Sequence, residues 1–195
     1  MNILWDFDGT LFDTYPSYTS MFKEMLGDAV SEQEIYSQLK ISITHAVKHY
    51  ELSDEQLKQL RGKEHTVDPA DTPPFPGVEP ILKLADVNVI MTHKPRKEVA
   101  RILQHYGWEG YFSEMVAGDD GYPRKPDPAS YQYLHDKYKL DLAIGDRELD
   151  IIPARIIGIQ TCLFQNETPG ADFYLTSYDA FFKQDIPGAL SRRGR

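Results

Sequence analysis

Short apolar runs alternate with longer amphipathic stretches between residues 78 and 175, and this alternation restricts the possible fold more than any other feature. It predicts strands at 88–92, 114–117, 142–145, 159–164 and 173–175. It predicts helices at 78–84, 96–106, 128–138 and 148–156. Strands that alternate with helices of about 10 residues form parallel βαβ units packed in layers. With a further strand predicted at 2–8, we expect an α/β fold built on a doubly wound, Rossmann-like parallel sheet.

The region between the first strand and residue 77 has a different pattern. Residues 15–65 carry apolar side chains at spacings of three and four, which favours helices. The stretch 68–77 holds four prolines and a glycine, which favours an extended linker. We therefore predict a core domain of residues 1–14 and 77–195, with a small helical cap domain, 15–76, inserted after the first strand.

Composition limits the partners that this chain can have. The formal net charge is −9, which argues against nucleic acid or an anionic membrane surface as a main partner. No window reaches the length of a membrane-spanning helix, and the single cysteine cannot form a disulfide within the chain. We expect a cytoplasmic protein with no secretory leader and no membrane partner. The sequence carries no signal for an oligomeric state.

Charged and hydroxyl side chains follow four of the predicted strands. The run WDFDGT at 5–10 ends the first strand with two carboxylates, Asp6 and Asp8. Thr92 and His93 follow the second strand, and the fourth is followed by GDRELD at 145–150. Lys125 lies in the connection after the third strand. Because ligands of open parallel sheets bind beyond the carboxyl ends of the strands, we expect these side chains to form one site.

The chemistry of this set points to phosphoryl transfer. Asp6 and Asp8 are two residues apart and Asp146 and Asp150 four apart, so each pair can approach one region. Converging carboxylates suit Mg²⁺, and a lysine with a hydroxyl suits phosphoryl oxygens. Each motif alone is more often a charged turn or a solvated loop. Their joint order and their placement at strand ends favour a catalytic site.

These motifs resemble those of the haloacid dehalogenase (HAD) superfamily. DFDGTLFDT at 6–14 resembles the first motif, Thr92 the second, Lys125 the third and 145–150 the fourth. The resemblance covers nearly the whole chain. The TxKP pattern at 92–95 and the early helical cap are similar to the phosphoglycolate phosphatase and β-phosphoglucomutase branch.

The resemblance implies a role for each residue. Asp6 would attack phosphorus and form an aspartyl-phosphate, and Asp8 would act as general acid and then general base. Mg²⁺ would be held by the carboxylates of Asp6 and Asp146 and by the backbone carbonyl of Asp8. Thr92 and Lys125 would hold the phosphoryl oxygens.

Three further residues complete the site that the resemblance implies. A backbone N–H near His93 would help to hold the phosphoryl group, and Asp150 would support metal-bound waters or orient Lys125. His93 stands where asparagine is common, so its side chain either caps the following helix, which we favour, or binds substrate. Arg147 stands where a small hydroxyl residue is frequent. It either faces solvent, or narrows the site, or contacts an anionic substrate.

We therefore predict a Mg²⁺-dependent phosphatase that acts on a small phosphorylated metabolite, resembling phosphoglycolate or a sugar phosphate. A phosphosugar mutase on the same scaffold and a catalytically silent binding module are the alternatives. A dehalogenase is disfavoured, because Asp8 supplies an acid that halide departure does not need. A silent module would be expected to lack one of Asp6, Asp8, Lys125 or Asp146, and all four are present.

Overall fold

The structure is a computed structural model that describes residues 1–193. The chain forms two compact units. The first consists of Met1–Phe12 and the chain from Pro74 onward, and the second of Asp13–Pro73. The six strands are β1 (Asn2–Trp5), β2 (Val87–Met91), β3 (Glu114–Val116), β4 (Leu142–Gly145), β5 (Gln160–Phe164) and β6 (Phe173–Leu175).

Ten α-helices accompany these strands in the described residues. They are α1 (Tyr15–Leu26), α2 (Glu32–Ile41), α3 (Ile43–His49), α4 (Asp54–Glu64), α5 (Val78–Leu84), α6 (Arg96–Tyr106), α7 (Ala129–Tyr138), α8 (Glu148–Ile156), α9 (Asp179–Lys183) and α10 (Ile186–Arg193). Helices α1–α4 belong to the second unit and α5–α10 to the first.

The first unit is a parallel sheet with strand order β3-β2-β1-β4-β5-β6. Alternate residues of β1 point to opposite faces, so Ile3 and Trp5 pack in one hydrophobic cluster and Leu4 in another. The first cluster draws on α5, α6 and α9, and the second on α7 and α8. The sheet is therefore covered on both faces, and the predicted doubly wound α/β fold is confirmed.

The second unit has its own hydrophobic core. Helices α1–α4 pack around Phe22, Ile35 and Leu39, which are completely buried. Ser53 begins α4 with a capping box, in which its side chain and that of Gln56 each accept a backbone N–H of the other. No helix among residues 1–193 is both long enough and apolar enough to span a bilayer.

The first strand is shorter than predicted and ends at Trp5 instead of continuing to residue 8. The N–H of Asp6 still donates to the carbonyl of Ile144, at 2.9 Å. Beyond it the chain turns, because the carbonyl of Phe7 accepts the N–H groups of Thr10, Leu11 and Phe12. This turn places the carboxylates just outside the sheet.

Candidate active site

The strand order reverses direction between β1 and β4, and the predicted site lies at this point. Strands β2 and β3 extend the sheet on one side of β1, and β4, β5 and β6 extend it on the other. Asp6 follows β1 and Asp146 follows β4, so their carboxylates leave adjacent strands at the same edge. Such a crevice is where doubly wound sheets bind ligands.

Thr10 connects these two carboxylates. Its hydroxyl lies 3.4 Å from Oδ2 of Asp6 and 3.5 Å from Oδ1 of Asp146. The turn that positions it is tight, with Gly9 at a φ of 77° and its N–H donating to the Phe12 carbonyl. A left-handed φ favours glycine, which accounts for the glycine in this motif. Asp6 Oδ2 and Asp146 Oδ1 therefore face a common point.

Lys125 lies between Asp6 and Asp150. Its Nζ donates to Oδ1 of Asp6 and to Oδ1 of Asp150, both at 2.7 Å, and all three side chains are buried. Burial alone would lower the pKa of Lys125, but the two carboxylates outweigh it and raise the pKa above the ordinary value. The lysine is therefore a fixed positive charge in the site.

The two carboxylates beside Lys125 titrate differently. Burial, reinforced by the negative charge of Asp150, raises the pKa of Asp6 to about 7, although Lys125 opposes the rise. Burial also acts to raise the pKa of Asp150, but the charges of Lys125 and Arg147 outweigh it and hold the pKa at about 2. Of these two carboxylates, Asp6 is thus the one whose charge is less compensated.

Asp6, Asp146 and Asp150 form a group that could hold a metal ion. Each offers one carboxylate oxygen, and these oxygens lie within 4.8 Å of one another. The group is buried, and two cations, Lys125 and Arg147, contact it. A divalent cation fits this set, because three buried carboxylates exceed the two positive charges beside them.

Arg147 points into this group and not toward solvent. Its side chain is only 13% exposed and lies 3.8 Å from Asp6, 3.6 Å from Asp146 and 3.5 Å from Asp150. The interpretation of a solvent-facing arginine is therefore wrong. The backbone N–H of Arg147 also donates to Oδ2 of Asp150, at 3.0 Å, at the start of α8.

The Asp8 carboxylate makes a separate ion pair. Its Oδ1 lies 3.1 Å from Nζ of Lys94, and both side chains are largely buried. The N–H of Lys94 in turn donates to the hydroxyl of Thr92, at 3.1 Å. Lys94 therefore joins two predicted site residues, and sequence reasoning assigned it no role in the site. The TxKP pattern contains Lys94, but its pairing with residue 8 depends on the folded sheet.

His93 holds the loop that carries Lys125. Its Nε2 accepts the backbone N–H of Lys125, at 2.9 Å, which requires a neutral ring with the proton on Nδ1. Burial and the charges of Lys125, Arg124 and Arg147 lower the pKa of His93 to about 3. His93 does not cap α6, so that preferred interpretation is wrong. The first N–H of α6, that of Arg96, donates to Asp119 instead.

Two glycines allow neighbouring segments of the site to pack closely together. A Cβ at Gly118 would lie 2.0 Å from the carbonyl oxygen of His93, and a Cβ at Gly145 would lie 2.2 Å from Cβ of Asp150. Real side chains do not approach so closely, so any other residue would displace these backbones. The close approach keeps His93 and Asp150 against the neighbouring strand ends.

The structure thus brings Asp6, Lys125, Asp146 and Asp150 into direct contact or close proximity. It places the Asp8 carboxylate on Lys94, outside the carboxylate group, and links Thr92 to the same lysine. Thr10 was also missed as a site residue. Its position in the first motif was visible, but its contact with Asp146 joins residues 136 apart in sequence.

Comparisons with known proteins agree on the family. A family model described as "Haloacid dehalogenase-like hydrolase" matches residues 3–164. A phosphoglycolate phosphatase of Cupriavidus necator is 30% identical over 83% of this chain and 79% of its own length. A phosphoglycolate phosphatase of Psychrobacter arcticus is 26% identical over 82% of this chain and 80% of its own length.

A solved structure supports the fold. A HAD-superfamily hydrolase of subfamily IA from Geobacter sulfurreducens superposes with a TM-score of 0.71, at 16% identity, over 94% of this chain and 95% of that one. The predicted resemblance is confirmed, and the chain belongs to the haloacid dehalogenase-like hydrolase family.

Proposed function

We propose that this protein is a Mg²⁺-dependent phosphatase that hydrolyses a small phosphorylated metabolite through an aspartyl-phosphate intermediate. Its family and the phosphoglycolate phosphatases similar to it support this reaction class. One observation carries the proposal: Asp6 is a buried carboxylate that accepts a hydrogen bond from Lys125 and lies with Asp146 around the Thr10 hydroxyl. The proposed substrate resembles phosphoglycolate or a sugar phosphate, and the phosphoglycolate phosphatases similar to this chain support the first of these.

Asp6 is the proposed nucleophile. One carboxylate oxygen of Asp6 forms a bond to phosphorus as the bond from phosphorus to the substrate oxygen breaks. Asp8 begins the cycle protonated and gives its proton to the departing alkoxide; as the carboxylate paired with Lys94, it then takes a proton from the water that attacks the aspartyl-phosphate. Lys94, paired with Asp8, fixes the orientation of this carboxylate.

The carboxylates of Asp6 and Asp146 and the backbone carbonyl of Asp8 would hold Mg²⁺. When bound, it would neutralise negative charge on the phosphoryl oxygens. Asp150 is less suited to direct ligation, because Lys125 and the Arg147 N–H already occupy its two oxygens. Asp150 instead positions Lys125.

Lys125 and Thr92 are proposed to hold the phosphoryl oxygens, with a backbone N–H near His93. Lys125 keeps its charge because of Asp6 and Asp150, and the His93 ring holds the loop that presents it. A preorganised donor set of this kind stabilises the charge that develops in the transition state. The helical unit, Asp13–Pro73, is proposed to be a cap domain.

Phosphate release tests the proposal. The purified protein is incubated with phosphoglycolate, sugar phosphates, nucleotides and an aryl phosphate, with Mg²⁺ or with chelator. We expect release that requires Mg²⁺ and that Asp6→Asn abolishes. Asp119→Asn, which alters a carboxylate paired to the Arg96 N–H, is the matched control and should retain activity. Absence of release from every compound by folded, Mg²⁺-loaded protein would contradict a phosphatase.

A further inference from the structure

Arg147 is a second buried cation in the carboxylate cluster, and its contacts differ from those of Lys125. Lys125 makes two hydrogen bonds of 2.7 Å to Asp6 and Asp150. The guanidinium of Arg147 lies 3.5 to 3.8 Å from Asp150, Asp146 and Asp6. Charge-assisted hydrogen bonds are typically about 2.7–2.9 Å long. Lys125 thus makes the short hydrogen bonds, whereas the guanidinium of Arg147 makes long ones to Asp150, at 3.5 Å, and neutralises Asp6 and Asp146 at longer range.

The charges of the site explain why such a cation is present. When all three are ionised, Asp6, Asp146 and Asp150 bring three negative charges, and Lys125 and Arg147 bring two positive ones. A bound divalent cation would reverse the balance and leave an excess of positive charge in the cluster. An excess cation repels the guanidinium from the carboxylates and attracts a phosphoryl dianion.

We propose that Arg147 is a second cationic ligand for the phosphoryl group, and that it lies against Asp6, Asp146 and Asp150 until a divalent cation displaces it. This inference rests on the proposed function. The guanidinium presents a planar fork of N–H donors, which matches the oxygens of a phosphoryl group. Arg147 is the N-cap of α8, so its backbone N–H stays bonded to Asp150 while the side chain changes partners.

Two effects of opposite sign follow from this exchange. Arg147 competes with the metal for the same carboxylates, so removing its charge should strengthen Mg²⁺ binding. It also contributes positive charge to the phosphoryl site, so its removal should weaken anion binding once Mg²⁺ is present. A residue that only stabilised the fold would not strengthen one ligand and weaken the other.

Isothermal titration calorimetry tests both effects with the full chain. Mg²⁺ is titrated into the wild type, Arg147→Ser and Arg147→Lys, and orthovanadate is then titrated at saturating Mg²⁺. For Arg147→Ser we expect about tenfold tighter Mg²⁺ binding and at least about tenfold weaker vanadate binding. For Arg147→Lys we expect Mg²⁺ binding near that of the wild type, because the positive charge remains. We also expect an intermediate loss of vanadate affinity, because lysine lacks the planar fork of N–H donors.

Arg155→Ser is the matched control, because Arg155 is an exposed arginine on the same helix, α8. It removes the same charge from the chain and should change neither affinity. Equal or weaker Mg²⁺ binding by folded Arg147→Ser, or unchanged vanadate binding, would overturn the role of Arg147 and leave the phosphatase proposal standing. A wild type that binds no Mg²⁺ would overturn both.

Discussion

The two units of this protein bury different kinds of side chain. In the second unit, the fully buried polar residues are the threonines Thr14, Thr19 and Thr72, and the rest of its buried core is apolar. In the first unit, three carboxylates and a lysine are buried at one edge of the sheet. Both units have an apolar core, and most of the buried charge of the first unit lies at the candidate site; outside the site, Glu98 on α6 is also buried and pairs with Arg101.

This difference separates residues that stabilise the fold from residues that serve chemistry. Burying an ion costs several kcal/mol unless a partner compensates it, and even a paired ion adds little net stability. The carboxylate cluster therefore does not stabilise the first unit as the apolar core stabilises the second. Substitutions in the two regions should change different properties.

The largest effect is expected from Asp6→Asn. Removing the proposed nucleophile should lower turnover by about 10⁴-fold or more, because the proposed step that forms the covalent bond to phosphorus is lost. The same change should not lower the melting temperature of the metal-free protein, since it brings the charge of the cluster closer to balance. Steady-state kinetics and thermal unfolding check the two parts. A clear fall in melting temperature would contradict this account of the site.

Lys125→Met should affect both activity and stability. It leaves Asp6 and Asp150 buried without their hydrogen-bond donor, which should cost about 3–5 kcal/mol of unfolding free energy and most of the activity. Urea unfolding measures the first, and phosphate release the second. Lys137→Met is the control, because Lys137 pairs with Glu114 at a side chain that is 52% exposed. Its expected cost is far smaller than that of Lys125→Met, because exposed ion pairs contribute little to stability.

Phe22→Ala, in the second unit, should lower stability without changing ligand binding. Phe22 is completely buried in the core of α1–α4, so the cavity should lower the unfolding free energy by about 3–5 kcal/mol. Mg²⁺ affinity, measured by calorimetry at a temperature where the variant is folded, should not change. Phe182→Ala removes a phenylalanine that is 46% exposed and should cost about 0.5 kcal/mol or less. Lost Mg²⁺ binding in folded Phe22→Ala would contradict the separation of roles.

The smallest effect is the change in stability that protonation of His93 causes as the pH falls. The unfolded chain protonates this histidine as the pH falls below about 6.5, whereas the folded pKa is about 3, so the native protein loses stability over that interval. Lys125, Arg124 and Arg147 face the ring and oppose its protonation, and Asp150 favours it.

His93→Gln isolates this contribution. The glutamine can still accept the Lys125 N–H but cannot take up a proton. When the pH falls from about 7 to about 5, the unfolding free energy of His93→Gln should fall by about 1 kcal/mol less than that of the wild type. This difference is smaller than the full pKa difference would give, because the ring of His93 is partly exposed. Urea unfolding at the two pH values gives the comparison, and an identical loss in both proteins would contradict a neutral His93.

Local sequence patterns predicted several helices and strands of the first unit correctly. The helices at 78–84, 96–106 and 148–156 and the strand at 142–145 have the predicted bounds, because apolar periodicity and turn residues mark their ends. The first strand was predicted three residues too long. Asp6-Phe7-Asp8 alternates like a strand, and only the hydrogen bonds to the Phe7 carbonyl show that the chain turns there.

Interactions across the site could not be predicted in the same way. Asp6 beside Arg147, Asp8 beside Lys94 and the Lys125 N–H bonded to His93 each lie on another connection of the sheet. The directions of these three side chains therefore depend on packing and not on spacing. His93 looked like a helix cap because it precedes α6 by a few residues. Its ring instead bonds to a backbone group 32 residues away, a contact without a local signal.

The most direct test of the central claim is chemical trapping at residue 6. Protein turning over its best substrate with Mg²⁺ is quenched in acid and reduced with borohydride, which converts an aspartyl-phosphate to homoserine. Peptide mass spectrometry then identifies the modified residue, with Asp6→Asn and chelator-treated protein as controls. We predict homoserine at position 6 in the active wild type and in neither control. Phosphate release with an unmodified Asp6, or homoserine at another aspartate, would contradict the account.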